Sequence, residues 1–163
     1  MSTQISLVTS SWYTRLPATY ARIGISRGTP RGQKGFRMYR DLAPGPWFRS
    51  VSTEEYCCRY MAQLDKLDPR QVLDELIALA GGRLPALLCF EGPPPDPRWC
   101  HRGLVSAWLN NVLGLRVCEF GHEDSGFGWA HPKLPQTRLE LRGVHVSRCV
   151  ELIARQVAEV VRT

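Results

Sequence analysis

The sequence predicts an α/β fold: a single Rossmann-like domain whose largely parallel sheet of about four to five strands is flanked by helices. Three observations carry this prediction. Pro85 to Phe90 is a continuous apolar run, which suits a strand in the middle of a parallel sheet with both faces covered. A helical pattern and a second β-rich run, Leu115 to Phe120, follow at the separation that a right-handed βαβ crossover needs. The pairs Asp68-Pro69 and Asp96-Pro97 punctuate the chain as helix starts, with Asp as cap and Pro at the first helical position.

In chain order, Ile5 to Thr9 reads as the first strand, closed by Ser10 and Ser11, and Arg22 to Ser26 as the second. Arg27 to Pro46 is rich in Gly, Pro and Arg and reads as a long loop, within a basic segment spanning 27–50. Ser52 and Glu55 form a capping box, so a helix opens there and buries Tyr56, Tyr60, Met61, Leu64 and Leu67. Asp68-Pro69 and Gln71 open the next helix, which buries Val72, Leu73, Leu76 and Ile77 and ends at Gly81-Gly82. Beyond the strand at Pro85, the helix from Asp96-Pro97 buries Leu104, Val105, Trp108, Leu109, Val112 and Leu113 and ends at Gly114. Leu139 to Val146 reads as an edge strand, and a C-terminal helix spans 147–162. There is no internal repeat and no second domain, so 1–163 is expected to be one unit.

The chain of 163 residues is 44% apolar, enough for a core without staples. No apolar segment approaches the ~20 residues that span a bilayer, which excludes a membrane-spanning helix. The N-terminus lacks the basic start and apolar stretch of a secretory signal, so a cytoplasmic location is expected. In that setting the six cysteines read as free thiols and as candidate metal ligands. The net charge of +6 is uneven: residues 1–50 carry eight basic groups against Asp41 alone, whereas the remainder carries 13 basic and 14 acidic groups. This asymmetry, with Phe36, Tyr39 and Trp47 among the arginines, points to a nucleic acid or a nucleotide as partner. Ser10, Ser11, Arg27, Arg31, Lys34 and Arg37 are the candidate phosphate contacts, and Trp12 and Trp129 the candidate base-stacking residues.

The chemistry concentrates in Pro85 to Arg102, PALLCFEGPPPDPRWCHR. An apolar strand stops at Glu91, a stiff proline loop follows, and a helix opens around Cys100, His101 and Arg102. In open α/β sheets ligands bind beyond the carboxyl ends of the strands, where this turn falls. Three chemistries are compatible with it. Cys89, Cys100 and His101, with His122 or Cys118, are possible zinc ligands, although no paired Cys-x-x-Cys is present. Cys100 or Cys89 is alternatively a catalytic thiol, lowered in pKa by the helix N-terminus and by His101. Lastly, Arg27, Arg102 and helix N–H groups suit a phosphate or base whose polar edge Glu91 reads.

Leu87 to Glu91 (LLCFE) and Cys100 to Arg102 (CHR) resemble the corresponding elements of domain-of-unknown-function family 488. Thr9 to Trp12, Ile23 to Pro30, Leu42 to Pro44 and Leu67 to Pro69 extend the likeness, which covers roughly residues 5 to 120. The resemblance implies a Rossmann-like domain with a polar cluster built from the Cys-x-Glu and Cys-His-Arg elements, and an association with nucleic-acid metabolism. The combined expectation is an enzyme of DNA modification or repair, acting on a nucleic-acid base or nucleotide. Cys89, Glu91, Cys100, His101 and Arg102 line its pocket, with Glu91 or His101 as acid/base. The alternatives are a non-catalytic nucleic-acid or nucleotide-binding module and a small zinc-dependent enzyme.

Overall fold

A computed structural model describes residues 6–135. The expected edge strand at Leu139 to Val146 and the C-terminal helix over 147–162 lie outside the described residues. Five strands form one sheet: β1 (Val8–Ser11), β2 (Tyr20–Gly24), β3 (Phe36–Met38), β4 (Leu84–Cys89) and β5 (Cys118–Glu119). Their order is β3-β2-β4-β1-β5 and every pairing is parallel, so the sheet is the Rossmann-like one expected. Three α-helices flank it: α1 (Thr53–Asp65), α2 (Pro69–Ala80) and α3 (His101–Leu113).

The helix signals act as their chemistry dictates. The Ser52 side chain accepts from the Glu55 N–H at the start of α1, and Asp68 accepts from the Arg70 and Gln71 N–H groups at the start of α2. Gly81 ends α2 in the left-handed conformation, φ 59°, that a side chain would strain. The principal core joins Ile23, Ile25 and Leu87 of the sheet region to Tyr60, Leu64, Leu76, Leu104 and Trp108 of the helices. A smaller cluster on the other side gathers Trp12, Val8, Ala86 and Leu88.

Several boundaries differ from the expectation. β1 runs later than Ile5 to Thr9, because Ser10 and Ser11 pair in register with Leu88 and Cys89 of β4 and are buried as strand residues. β2 likewise stops at Gly24, leaving Ser26 to open the loop. The segment expected to be loop contains β3, a short edge strand held by pairing with β2. β5 is shorter than Leu115 to Phe120. Asp96-Pro97 does not open α3: the Asp96 carboxylate accepts from the Gly92 and Arg98 N–H groups and closes the proline loop on itself. The helix begins at His101, with Cys100 as its N-cap residue. Cys57, Cys89, Cys100 and Cys118 are free thiols, whereas Cys58 is disulfide-bonded, so the expectation of free thiols throughout fails there. No helix among the described residues is long and apolar enough to cross a membrane.

Candidate functional site

The ends of β2 and β4 and the start of α3 meet at a cavity of about 730 Å³. β4 ends at Cys89 and its loop begins at Glu91, whereas Cys100 and His101 sit where the chain returns to form α3. The N–H of Cys100 is tied to the Lys133 carbonyl at 2.9 Å, which fixes that return. Cys89, Glu91, Cys100 and His101 all line the cavity. Their neighbours in its wall include Arg27, Arg49 and Arg98, together with Phe48, Tyr56 and Trp99. Arg27 and Arg49 both lie over the Phe48 ring, at 5.8 and 5.0 Å, and Trp99 meets Tyr56 edge-on at 4.7 Å. The result is an aromatic, cation-bearing mouth above a floor of sulfur and imidazole.

His101 organises that floor. Its Nε2 lies 2.8 Å from the Ile25 carbonyl, an acceptor only, so Nε2 carries the proton and donates it there. Nδ1 then presents its lone pair to two sulfurs, Cys89 Sγ at 3.6 Å and Cys100 Sγ at 3.8 Å. The Tyr60 ring backs the imidazole edge-on at 5.3 Å. The Glu91 carboxyl lies beside both thiols, and its Oε2 is buried without a hydrogen-bond partner.

These neighbours set the ionisation of the groups. Burial pushes the Cys100 thiol up, but the hydrogen bond from Cys89 and the charges of Arg102 and His101 outweigh it and hold it well below the ordinary thiol range. Cys89 moves the opposite way, through its bond to Cys100 and its burial. Burial, reinforced by the Cys100 charge, raises Glu91 above the usual carboxylate range. Burial would lower His101, but the adjacent Cys100 raises it.

Arg102 turns away from this floor into a second buried cluster. Its guanidinium Nε donates to both Glu119 oxygens, at 3.2 and 2.9 Å, while Nη1 and Nη2 reach the Glu91 and Gly92 carbonyls at 2.8 and 3.3 Å. His131 completes the cluster: Nδ1 accepts from the Lys133 N–H at 3.1 Å, so Nε2 donates to Thr9 Oγ1 at 2.7 Å.

A family model described as DUF488-N3a, the active DUF488-N3 subclade, matches residues 7–113. The chain belongs to the DUF488 family. No curated protein and no solved structure matches it.

For this DUF488 chain, the structure brings together Cys89, Glu91, Cys100 and His101 from the sequence-predicted pocket, and Arg27 from the predicted phosphate contacts. Arg102 does not line the cavity; it is fully buried and acts as a strut for the loop that carries Glu91. Ser10, Ser11 and Trp12 are buried in the sheet region, and the Trp12 indole N–H is spent on Ser26 Oγ. Burial leaves Trp12 no free face on which a base could stack. Trp129 packs against the principal core and is not among the cavity residues. Arg31, Lys34 and Arg37 are exposed but stand outside the cavity wall. Neither His122 nor Cys118 joins the Cys89–Cys100–His101 group, whose donor atoms lie within 4.8 Å of one another.

Sequence reasoning missed Arg49 and Arg98 as cavity residues of the DUF488 site, and favoured core over site for Tyr56. Tyr56 is indeed buried, yet it also forms part of the wall. The available signal was its helical register with Ser52 and Thr53, which places the first turn of α1 at the same opening.

Proposed function

We propose that this DUF488 protein is an enzyme acting on a nucleotide or a nucleic-acid base, in DNA modification or repair. The observation that carries the reading is one cavity with two chemically distinct ends. Its floor holds Cys89, Glu91, Cys100 and His101, and its wall holds three arginines beside aromatic rings. A volume of about 730 Å³ suits a nucleotide-sized ligand. Arg27 and Arg49 supply the charge that a phosphate needs, Arg98 being paired with Asp96 at 2.7 Å, and Phe48 and Trp99 supply apolar faces for a base. The exposed Arg31, Lys34 and Arg37 take the phosphate backbone of a longer substrate. The description of the family model as an active subclade accords with catalysis.

Binding is tested first, by calorimetry with nucleosides, nucleoside monophosphates and short single-stranded DNA. Phosphorylated ligands are expected to bind at least about tenfold tighter than the matching nucleosides, with Arg27→Ala and Arg49→Ala removing that preference. Affinity for DNA should fall steeply between about 50 and 200 mM salt. Turnover is then read by mass spectrometry of nucleotides and of DNA digests after incubation. Glu91→Gln and Cys100→Ser are expected to lower it by about 10²–10⁴-fold with folding intact. Equal affinity for nucleosides and nucleotides, or full turnover in both variants, overturns the assignment.

A further inference from the structure

We propose that Cys89, Cys100 and His101 hold a single zinc ion through Sγ, Sγ and Nδ1, with a fourth position facing the cavity beside Glu91. The distances are those of a preformed ligand set. A tetrahedral ion with Zn–S of about 2.3 Å and Zn–N of about 2.0–2.1 Å places its sulfur and nitrogen donors about 3.6 Å apart. The observed Nδ1 to Sγ distances are 3.6 and 3.8 Å, and all three donors lie within 4.8 Å of one another.

The orientation of His101 is the second, independent observation. A metal-bound histidine characteristically donates its other ring N–H to a carbonyl or carboxylate, which fixes the tautomer and aims the free lone pair. His101 does this through Nε2 and the Ile25 carbonyl, leaving Nδ1 turned to both sulfurs. A ring that served only as core filler would have no need to point its acceptor at two poor donors. The buried, unpartnered Oε2 of Glu91 is the third. Two thiolates and an imidazole are soft ligands, which select zinc over magnesium or calcium.

Three protein ligands and one open position make a catalytic rather than a structural site, because structural zinc is closed by four. The open position faces the cavity that the proposed substrate enters, so this inference rests on that reading for its use but not for its existence. Zinc held there would supply an activated water as nucleophile at neutral pH, and the Glu91 carboxyl would stand beside the open position to take its proton. The reaction class is therefore addition of water to an electron-poor carbon of the bound base.

The test uses the full chain, prepared without a metal-affinity tag from zinc-supplemented medium. Elemental analysis is expected to find about one zinc per chain, and Cys89→Ser and Cys100→Ser to lower it about tenfold or more. Cys118→Ser, outside the ligand set, is expected to keep it. As a readout that alters no ligand, cobalt is also added to the unaltered apo chain. The visible bands of a tetrahedral thiolate site are expected; their absence, or a Cys89–Cys100 disulfide found by mass spectrometry, overturns the proposal. A zinc-free chain that still binds nucleotides removes the ion and leaves the cavity reading standing. A zinc-loaded chain indifferent to nucleotides does the reverse.

Discussion

Two buried polar clusters share the carboxyl end of this sheet, and adjacent residues of α3 feed one each. His101 serves the cavity floor with Cys89, Cys100 and Glu91; Arg102 serves the closed cluster with Glu119, His131 and Thr9. In the closed cluster the donors meet acceptors at ordinary distances: Arg102 spends its donors on a carboxylate and two carbonyls, and both nitrogens of His131 are matched. On the cavity floor, among the described residues, the shortest bond is the one that orients His101; the thiols meet only each other and the imidazole, and Glu91 Oε2 has no partner. Buried polar groups that are fully satisfied specify a rigid structure, whereas unsatisfied ones call for an explanation. The difference teaches which cluster is scaffold and which is site, even though His101 and Arg102, which feed them, are both buried.

Removing one partner from each cluster breaks the comparison most directly. Arg102→Met leaves Glu119 buried and uncompensated, an effect of about 3–5 kcal/mol. Adding Glu119→Gln to that variant should recover part of the loss, since the two residues touch and their effects cannot add. Glu91→Gln, on the floor, removes a carboxyl with an unpartnered oxygen and is expected to stay within about 1 kcal/mol of the wild type. Urea denaturation of the four proteins measures all of this. Equal losses from Arg102→Met and Glu91→Gln would erase the distinction between the clusters.

Gly103 sharpens it. A Cβ built there would lie 2.8 Å from the Leu134 nitrogen and from the Lys133 carbonyl carbon, both backbone. α3 therefore approaches the 131–134 segment as closely as a helix can, and that segment supplies His131 to one cluster and the Lys133 carbonyl that fixes Cys100 to the other. Gly103→Ala is expected to cost about 1–3 kcal/mol and to loosen both clusters together. Calorimetric melting and nucleotide affinity should fall in step. A variant that melts lower yet binds normally would show that only the closed cluster depends on this contact.

The fold was legible in the sequence wherever a local signal had a single structural meaning. Ser52 and Asp68 cap helices because their side chains meet N–H groups two or three residues on, which needs no distant partner. Asp96-Pro97 carries the same local signal but closes a turn, because the helix start is decided by a distant partner, the Lys133 carbonyl. β3 escaped notice since three residues with Arg37 in their middle show no periodicity until β2 pairs with them. On the floor, Cys89, Glu91, Cys100 and His101 were legible because one strand-to-loop-to-helix turn carries them. Arg49 and Arg98 were not, since only the folded chain brings the end of one short helical turn to the proline loop. Arg102 shows the limit of reading a motif by adjacency: neighbours on a helix point in different directions, so Cys-His-Arg divides between two sites.

The mildest test of the comparison is acid. His131 is wholly buried, and that burial, reinforced by Arg102 and Lys133 and opposed by Cys100, pushes its pKa down to about 3. The hydrogen bonds agree, because Nδ1 accepts from the Lys133 N–H and cannot carry a proton without losing that bond. The unfolded chain binds the proton near the ordinary value of about 6.5, so below it the unfolded state holds more protons than the folded one. Stability from this group is complete above about pH 6.5 and declines by about 1.4 kcal/mol per pH unit as the pH falls toward 3. His131→Gln retains a donor and an acceptor but cannot titrate, so its stability should decline less steeply over the same interval. The difference between the two urea-midpoint profiles isolates His131 from every carboxylate that also titrates there. Parallel profiles would mean that the folded protein accepts the proton, and that the closed cluster is less closed than its hydrogen bonds imply.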